Sequence, residues 1–231
     1  LAKEIKETYG VEAKPMAFDL GKADAAQALF DQTEGEGLEI DVLVNNAGFG
    51  AYEDFVNVDW DRYAGMIQLN IVALTQASRA WLPKIIAPLH GYLMNIASVG
   101  AYTPCPTFAV YAATKAYVRN LTEAISFELK GTGVNAICVN PGGTRTEFLD
   151  AADQVLKKTG EMAMMTAEEC ARIAVKKMLA GRRNVITGFM NALSMFIMRF
   201  LPRPWMTWFA YQGMKAGVEK GPKKALPAPP E

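Results

Sequence analysis

Residues 41–48 read DVLVNNAG, a short apolar run that two asparagines and a glycine bring to an abrupt stop. A run this short and this apolar is typical of a strand buried on both faces of a sheet. Similar segments occur at GYLMNIAS (91–98), GVNAICVNPGG (133–143) and NVITG (184–188), and AKPMAFDL (13–20) is a further predicted strand. The chain is therefore expected to build its sheet from short, buried strands.

Longer amphipathic stretches separate these strands. They predict helices over residues 24–37, 60–88, 111–130 and 166–181. Pro83 should kink the second helix near its end, because proline removes a backbone hydrogen bond. Thr166 and Glu169 form a capping box at the start of the fourth helix. The alternation of strand and helix indicates an α/β fold, a doubly wound parallel sheet covered by helices on both faces.

Composition restricts the class of protein. Of the 231 residues, 51% are hydrophobic and 21% are charged, which excludes a disordered chain. The net charge is zero, so no overall positive charge favours nucleic-acid binding, and we expect none. Three scattered cysteines and the single His90 offer no spacing for a metal site. An odd cysteine count is typical of the reducing cytoplasm, where we expect the protein.

The carboxyl ends of the predicted strands resemble one another in the residues that follow them. In open parallel sheets, ligands bind beyond these ends. Small, polar or turn-forming residues follow four of the strands, namely Asp19, Asn45-Asn46-Ala47-Gly48, Ser98 and Pro141-Gly142-Gly143. Four such endings on the same edge of a sheet predict a ligand cleft there.

A tyrosine and a lysine stand one helical turn apart in the segment YAATK, so Tyr111 and Lys115 project from the same helix face. The ammonium is expected to lower the pKa of the phenol toward neutrality, where it can exchange a proton with a substrate oxygen. Ser98 could donate a hydrogen bond to that oxygen, or it could simply cap the segment that follows it. Tyr211 and Lys215 repeat the spacing without a preceding strand-end serine, and we interpret that pair as coincidental.

Taken together, these motifs resemble the short-chain dehydrogenase/reductase family. The matching residues, in the family's order, are Asn45-Asn46-Ala47-Gly48, Asn70 in MIQLN, Ser98, Tyr111, Lys115 and Pro141-Gly142-Gly143-Thr144-Arg145-Thr146. Order and spacing agree over residues 12–188. The resemblance implies a Rossmann-like fold and an enzyme that interconverts carbonyl groups and secondary alcohols.

The resemblance also implies a role for each of four catalytic residues. Tyr111 would be the acid in reduction and the base in oxidation. Lys115 would hold the nicotinamide ribose and lower the pKa of Tyr111. Ser98 would orient the substrate carbonyl, and Asn70 would position a water that leads from Lys115 to solvent.

The implied cofactor is a nicotinamide dinucleotide, and the resemblance favours NADP(H) over NAD(H). Asp19 and Leu20 would line its adenine, while Thr144 and Thr146 would contact the carboxamide and a nearby phosphate. The full set of implied cofactor-binding residues is Asp19, Leu20, Asn46, Ala47, Gly48, Tyr111, Lys115, Pro141, Gly142, Thr144 and Thr146.

One part of the family pattern is absent. No Gly-rich loop of the form G-x-x-x-G-x-G or G-x-G-x-x-G occurs in the 231 residues. The first strand–helix–strand unit, which would place a strand between those of residues 13–20 and 41–48, has no counterpart either. Residues 1–10 read as the last turns of a helix. We therefore expect a chain truncated at its amino end that leaves a strand edge unpaired. The alternative function is a non-catalytic protein that uses the remaining fold for binding or membrane association.

The carboxyl-terminal part is expected to differ from the rest. We predict an oxidoreductase domain over residues 1–188, an apolar helical segment over 189–215 and a disordered tail over 216–231. The apolar segment is too short on either side of Pro202 to cross a bilayer. Its tryptophans and flanking arginines suit peripheral contact with a membrane interface, and the alternatives are a lid over an apolar pocket or a subunit contact.

The same features predict the partners. The apolar character of residues 189–215 favours a hydrophobic carbonyl or alcohol as substrate. The long helices of residues 60–88 and 111–130 match those that pair subunits in the family, so we expect a homo-oligomer.

Overall fold

The computed structural model describes residues 1–162 and 164–221. Its α-helices are α1 Ala2–Tyr9, α2 Ala25–Gly35, α3 Trp60–Ile67, α4 Leu74–Ile86, α5 Ala109–Glu128, α6 Phe148–Ala151, α7 Lys158–Met162, α8 Ala167–Leu179, α9 Phe189–Met198 and α10 Arg203–Gly217. Its strands are β1 Val42–Asn45, β2 Gly91–Ile96, β3 Val134–Asn140, β4 Thr144–Arg145, β5 Gln154–Leu156, β6 Met165–Thr166, β7 Asn184–Ile186 and β8 Val218–Lys220.

The central sheet is parallel throughout and has the strand order β1-β2-β3-β7. Leu43 pairs with Leu93, which pairs in turn with Ala136, and Cys138 pairs with Asn184. Because all four strands run in one direction, their carboxyl ends meet at one edge of the sheet. The predicted Rossmann-like α/β fold is confirmed.

Helices cover both faces of this sheet. On one face Trp81 and Ile85 of α4 pack against Leu93 and Ala136, and α2 adds Phe30, whose ring meets Trp81 edge-on at 5.2 Å. On the other face the side chains of β3 pack against Ala174 and Met178 of α8. Burial of an aromatic or large aliphatic side chain contributes roughly 2–3 kcal/mol each, so these two layers hold the strand ends in place.

The edge strand β1 differs from the prediction. Val42 and Val44 are 41% and 48% exposed, so β1 is half-buried on one face and open on the other. The strand predicted over residues 13–20 is wrong, because that segment forms no ladder with any strand in the described part of the chain. A strand needs a hydrogen-bonded neighbour, and residues 13–20 have none beside them.

The long helix predicted over residues 60–88 is continuous but not uniform. α3 passes into a π-helical segment, Gln68–Ala73, which continues as α4 to Ile86. Pro83 lies inside α4, and the Ala87 amide still donates to the Pro83 carbonyl at 3.2 Å, so the proline does not end the helix. π-Helical turns are often found at functional sites, and this one contains Asn70.

The carboxyl-terminal segment folds into α9 and α10 and then into a short strand. Residues 216–220 belong to α10 and β8, and β8 pairs antiparallel with β5, while the disordered tail stays a prediction. The rest of the predicted tail, residues 222–231, lies outside the described residues. The division of the chain at residue 188 stays a prediction.

Two tight turns meet where β2 and β3 begin. Gly133 has a φ of +79°, and a Cβ at this position would lie 1.9 Å from the carbonyl oxygen of Leu89 in the turn before β2. Gly131 has a similar φ of +85° but faces open space. Gly133 is therefore required by its positive φ and by the close Leu89 carbonyl, whereas Gly131 is required by its positive φ alone.

We predict that Gly133→Ala destabilises the fold far more than Gly131→Ala. Gly131→Ala should cost about 1–2 kcal/mol in the free energy of unfolding, the cost of a left-handed backbone in a residue with a Cβ. Gly133→Ala should cost roughly 3 kcal/mol or more, because a backbone carbonyl must also move. Urea unfolding of the two variants measures the difference, and equal losses would contradict the contact between the turns.

Candidate active site

Four of the predicted residues meet at the carboxyl edge of the sheet. Asn70 comes from the π-helical segment, Ser98 from the residues just after β2, and Tyr111 and Lys115 from the first turns of α5. These elements are far apart in sequence, and the parallel sheet brings their ends together. The cluster lies where ligands of such folds bind.

Lys115 is a buried cation. Only 4% of the surface of Lys115 is exposed. Its Nζ donates a hydrogen bond to the carbonyl oxygen of Ile96 at 2.8 Å. Burial disfavours the charged form and lowers the pKa of Lys115 to about 8, although the Cys138 thiol group acts in the opposite direction. The ammonium is thus fixed by the last carbonyl of β2, two residues before Ser98.

Tyr111 is also buried, with 8% of its surface exposed. Burial raises the pKa of the phenol to about 12, while a hydrogen bond with the Ser98 side chain lowers it in part. The expected lowering toward neutrality is therefore wrong for the chain as described. The ammonium of Lys115 lies 5.8 Å from the centre of the phenol ring and hydrogen-bonds to a carbonyl, so loss of water dominates. Tyr211 of the second pair is exposed on α10.

Ser98 caps the segment that follows it and also contacts the phenol of Tyr111. Its Oγ accepts a hydrogen bond from the Gly100 amide at 3.1 Å and so caps the short 3₁₀ helix Val99–Tyr102. Its hydroxyl also interacts with the Tyr111 phenol. Because the lone pairs accept from the backbone, the hydroxyl proton is available for a second partner.

Asn70 is completely buried and fully hydrogen-bonded. Its Oδ1 accepts from the Phe49 amide at 3.2 Å, and its Nδ2 donates to the Phe49 carbonyl and to Thr114 Oγ1, both at 3.0 Å. A Cβ on Gly48 would lie 2.8 Å from Asn70 Oδ1 and 3.3 Å from Lys115 Nζ. Both groups therefore lie close to Gly48, and a side chain at this position would collide with the Asn70 amide.

Aromatic rings that the sequence analysis missed surround the phenol. The Phe108 ring lies 4.3 Å from the Tyr111 ring and the Phe148 ring 5.3 Å from it, measured between ring centres. Phe108 precedes Tyr111 by three residues and so shares its helix face, a signal the sequence contained. Thr114, which holds Asn70, was missed as well, although it lies inside YAATK.

Some of the predicted cofactor-binding residues lie along a groove beside β1. Leu20, Asn46 and Ala47 line an apolar groove of about 270 Å³ whose other walls come from β1, α2 and α4. Asp19 does not line it, and its Oδ1 instead accepts a hydrogen bond from the Gly21 amide at 3.0 Å. Leu20 thus shares the groove with the residues that follow β1, whereas the Asp19 side chain only bonds to the backbone of its own turn.

The PGGTRT segment supplies the other implied cofactor residues. The Pro141 carbonyl accepts from the Val99 amide at 2.9 Å, which ties the segment to the residue after Ser98. The Thr144 hydroxyl donates to the Gly142 carbonyl at 3.1 Å, and Thr146 Oγ1 accepts from the Phe148 amide at 3.3 Å. These threonine hydroxyls shape their own loop, and each keeps capacity for a further hydrogen bond.

Known proteins share much of this sequence. Residues 1–157 match the family model described as short chain dehydrogenase. A 7beta-hydroxysteroid dehydrogenase of Collinsella aerofaciens is 31% identical over 193 residues, which cover 80% of this chain and 72% of that protein. A very-long-chain 3-oxoacyl-CoA reductase of Anas platyrhynchos is 35% identical over 147 residues, which cover 61% of this chain and 46% of that protein. The chain therefore spans less than half of the second relative.

Solved structures share the fold. One of a 7beta-hydroxysteroid dehydrogenase superposes with a TM-score of 0.80 at 27% identity and covers 90% of this chain and 81% of that one. A short-chain dehydrogenase from Sphingobium yanoikuyae in complex with NADPH gives a TM-score of 0.74 at 24% identity, with coverage of 87% and 81%. The parallel sheet and its helices are thus an arrangement that these proteins have in common.

The lowered pKa of Lys115 predicts a specific pH dependence of stability. Because the folded pKa is about 8 and the ordinary value is 10.5, the unfolded chain binds more protons than the folded chain between these values. This group therefore stabilises the fold increasingly as pH rises through that window, by about 2 kcal/mol between pH 8 and pH 10. The phenol of Tyr111 acts in the opposite direction only above its ordinary value of 10.0.

Replacing Lys115 by Met should remove this contribution. Urea unfolding of the native chain and of Lys115→Met, followed from pH 8 to about pH 10, gives two stability curves whose difference isolates the lysine. We expect the native chain to gain stability relative to the variant as pH rises. Parallel curves would mean that Lys115 is solvated and that its burial is incorrect.

Proposed function

Because the chain belongs to the short-chain dehydrogenase family, we propose that it is an oxidoreductase that interconverts a carbonyl and a secondary alcohol with a nicotinamide dinucleotide. The observation that carries the proposal is the buried cluster at the carboxyl edge of the sheet. There a phenol, a serine hydroxyl and an ammonium are held by hydrogen bonds to one another or to the end of β2. Proton transfer to a carbonyl oxygen requires such groups: a proton donor, a second hydrogen-bond donor to the oxygen and a nearby positive charge.

The side chains have distinct roles in this proposal. When bound, the dinucleotide supplies the hydride in reduction and accepts it in oxidation. Tyr111 donates its phenolic proton to the carbonyl oxygen as the hydride reaches the carbon, and Ser98 donates a hydrogen bond to the same oxygen. Tyr111 is protonated at neutral pH, as a proton donor must be, while burial keeps its pKa above the near-neutral value at which proton transfer is most efficient. The Lys115 ammonium would return the lost proton to Tyr111, and Asn70 would position a water that leads from Lys115 to solvent.

The residues present fit part of a nicotinamide dinucleotide. Gly48 leaves open the space beside the Lys115 ammonium, which suits the approach of a ribose hydroxyl, and the groove lined by Leu20, Asn46 and Ala47 suits an adenosine. Thr144 and Thr146 keep hydrogen-bonding capacity for the nicotinamide end. The proposed preference for NADP(H) rests on the family resemblance.

The surroundings of Tyr111 support a hydrophobic substrate. Phe108, Phe148 and the Cys105 thiol group lie around the phenol. Two relatives have names that refer to a hydroxysteroid and to a very-long-chain acyl-CoA. We propose a bulky, mainly apolar carbonyl or secondary alcohol. The homo-oligomer expected from the long helices and the cytoplasmic location stay predictions.

A non-catalytic role is the second candidate. The observation in its favour is that none of the 231 residues forms a Gly-rich loop, the element that holds a pyrophosphate at a helix N-terminus in dinucleotide-binding folds. A chain with this role would neither bind a nicotinamide dinucleotide nor turn over a ketone, so one assay separates the two candidates.

Substitution of the phenol tests the proposal. With NADPH and an apolar ketone such as a ketosteroid, Tyr111→Phe should lower kcat by at least ~100-fold, because the proton donor is lost. NADPH affinity, followed by its fluorescence, should change little. Tyr211→Phe is the matched control, since Tyr211 has the same spacing to a lysine but lies on the surface, and it should keep full activity.

Two results would contradict the proposal. Comparable turnover in Tyr111→Phe and Tyr211→Phe would remove Tyr111 from the chemistry. Absence of both NADPH binding and turnover in the native chain would favour the non-catalytic candidate.

A further inference from the structure

α9 carries large apolar residues on the side that faces solvent. Phe189 is 78% exposed, Phe196 55% and Phe200, just beyond the helix, 70%. Met190, Leu193 and Ile197 are exposed as well, which completes a stripe at the three- and four-residue spacing of one helix face. The opposite face is anchored to the protein, where Asn191 Nδ2 donates to the Thr187 carbonyl at 2.8 Å. Ala192, Met195 and Met198 are half-buried on that inner face, so α9 is apolar on both sides.

α10 repeats this arrangement. Trp205, Trp208 and Phe209 are 61%, 54% and 44% exposed and follow one another at helical spacing. The inner side of the helix is already occupied, because Met214 packs against the cluster that contains Tyr111. The exposed aromatic face therefore points away from the candidate active site and cannot be the inner surface of a lid over it.

The end of α10 is held firmly to the rest of the chain. Lys157 Nζ donates to the Lys215 carbonyl at 2.9 Å, and Thr159 Oγ1 donates to the Ala216 carbonyl at 2.8 Å. Strand β8 then pairs with β5 directly after the helix. These bonds fix α10 with its tryptophans outward, so their exposure is a property of the fold and not of a detached segment.

Charge is distributed unevenly around these helices. The whole chain is neutral, yet residues 170–218 contain no aspartate or glutamate. The same span contains eight cationic residues: Arg172, Lys176, Lys177, Arg182, Arg183, Arg199, Arg203 and Lys215. Arg199 lies between α9 and α10, with its guanidinium 5.6 Å from the Phe196 ring centre and 5.4 Å from that of Phe200. Arg199 therefore places positive charge among the exposed rings of α9, and Arg203 opens α10.

We infer that the exposed faces of α9 and α10 bind the interface of an anionic lipid bilayer. Apolar side chains of this size prefer the boundary between headgroups and acyl chains, and tryptophan prefers it most clearly. The cations supply the electrostatic attraction that anionic headgroups require. Pairing with a second copy is less well matched, because it would bring Arg199 and Arg203 of one copy close to the same cations of the other.

The helices suit a position on the membrane surface. In the described parts of the chain, residues 1–162 and 164–221, no helix has both the length and the apolar content needed to span a bilayer. α9 and α10 have 10 and 15 residues and are separated by Pro202. Short helices with one apolar face and neighbouring cations lie in the plane of the interface.

Vesicle flotation tests this inference with the native chain and two variants. The probes are vesicles of phosphatidylcholine with roughly one third phosphatidylglycerol and vesicles of phosphatidylcholine alone. We expect the native chain to float with the anionic vesicles and to bind at least ~5-fold less to the neutral ones. Raising NaCl from ~0.1 M to ~0.5 M should weaken the anionic binding, since salt screens the charges.

The apolar part of the surface is tested by Trp205→Ser combined with Trp208→Ser. Loss of both rings should lower the partition coefficient by at least ~10-fold, because each buries a large apolar surface in the interface. The matched control is Trp60→Ser, since Trp60 is 71% exposed at the start of α3, away from the two helices in sequence and on another element. That variant should bind like the native chain.

The charged part is tested by Arg199→Gln combined with Arg203→Gln. Each arginine removed should reduce binding to anionic vesicles about 5-fold, whereas binding to neutral vesicles should not fall. Lys3→Gln combined with Arg79→Gln removes the same charge from exposed positions elsewhere and should have little effect. Circular dichroism melting of every variant shows whether the fold is intact.

Three outcomes would overturn the inference. The first is absence of flotation by the native chain. The second is equal loss in the tryptophan variant and in Trp60→Ser. The third is a change of oligomeric state in the tryptophan variant, seen by analytical ultracentrifugation without any vesicle binding, which would assign these faces to contact between copies of the chain.

Discussion

The hydrogen bond between the Lys115 ammonium and the Ile96 carbonyl is the interaction on which the candidate site depends. A buried charge is tolerated only where polar partners replace the lost water. Here the carboxyl end of β2 supplies that partner at 2.8 Å, so the first turns of α5 must lie against this strand end. The same placement sets Tyr111 beside Ser98, and Asn70 and Lys115 both lie close to Gly48. One buried cation thereby fixes the relative positions of three elements.

Much of the fold and the membership of the site could be predicted from the sequence. The short apolar runs of β2 and β3 stop at polar or turn residues, and parallel pairing then requires those stops to share an edge. The spacing of Tyr111 and Lys115 follows from the helical repeat. These features are local or follow from topology, so a pattern of residue types is sufficient to identify them. The roles of the individual site residues rest on the proposed function.

Other features depend on surroundings that the pattern does not contain. The segment at 13–20 has the composition of a strand, but strand formation needs a neighbour with free backbone groups, and the described residues place none beside it. The pKa of Tyr111 was expected to follow its charged neighbour, whereas the depth of burial decides it, because removal of water outweighs an ammonium that is hydrogen-bonded elsewhere. Phe148 reaches the phenol from α6 through tertiary contact alone. The depth of burial of a side chain and its contacts with distant parts of the chain therefore could not be predicted from the pattern of residue types.

The ionisation of Tyr111 tests the central claim, that this buried phenol is a proton donor at neutral pH. The measurement is a pH titration by carbon NMR of the chain labelled at the tyrosine Cζ atoms, with the Tyr111 signal identified by its absence from Tyr111→Phe. Since burial raises the pKa to about 12, the Tyr111 signal should keep its phenol position up to about pH 11. A transition near neutral pH would contradict the account, because the phenol would then be ionised and the charge of Lys115, rather than burial, would control the site.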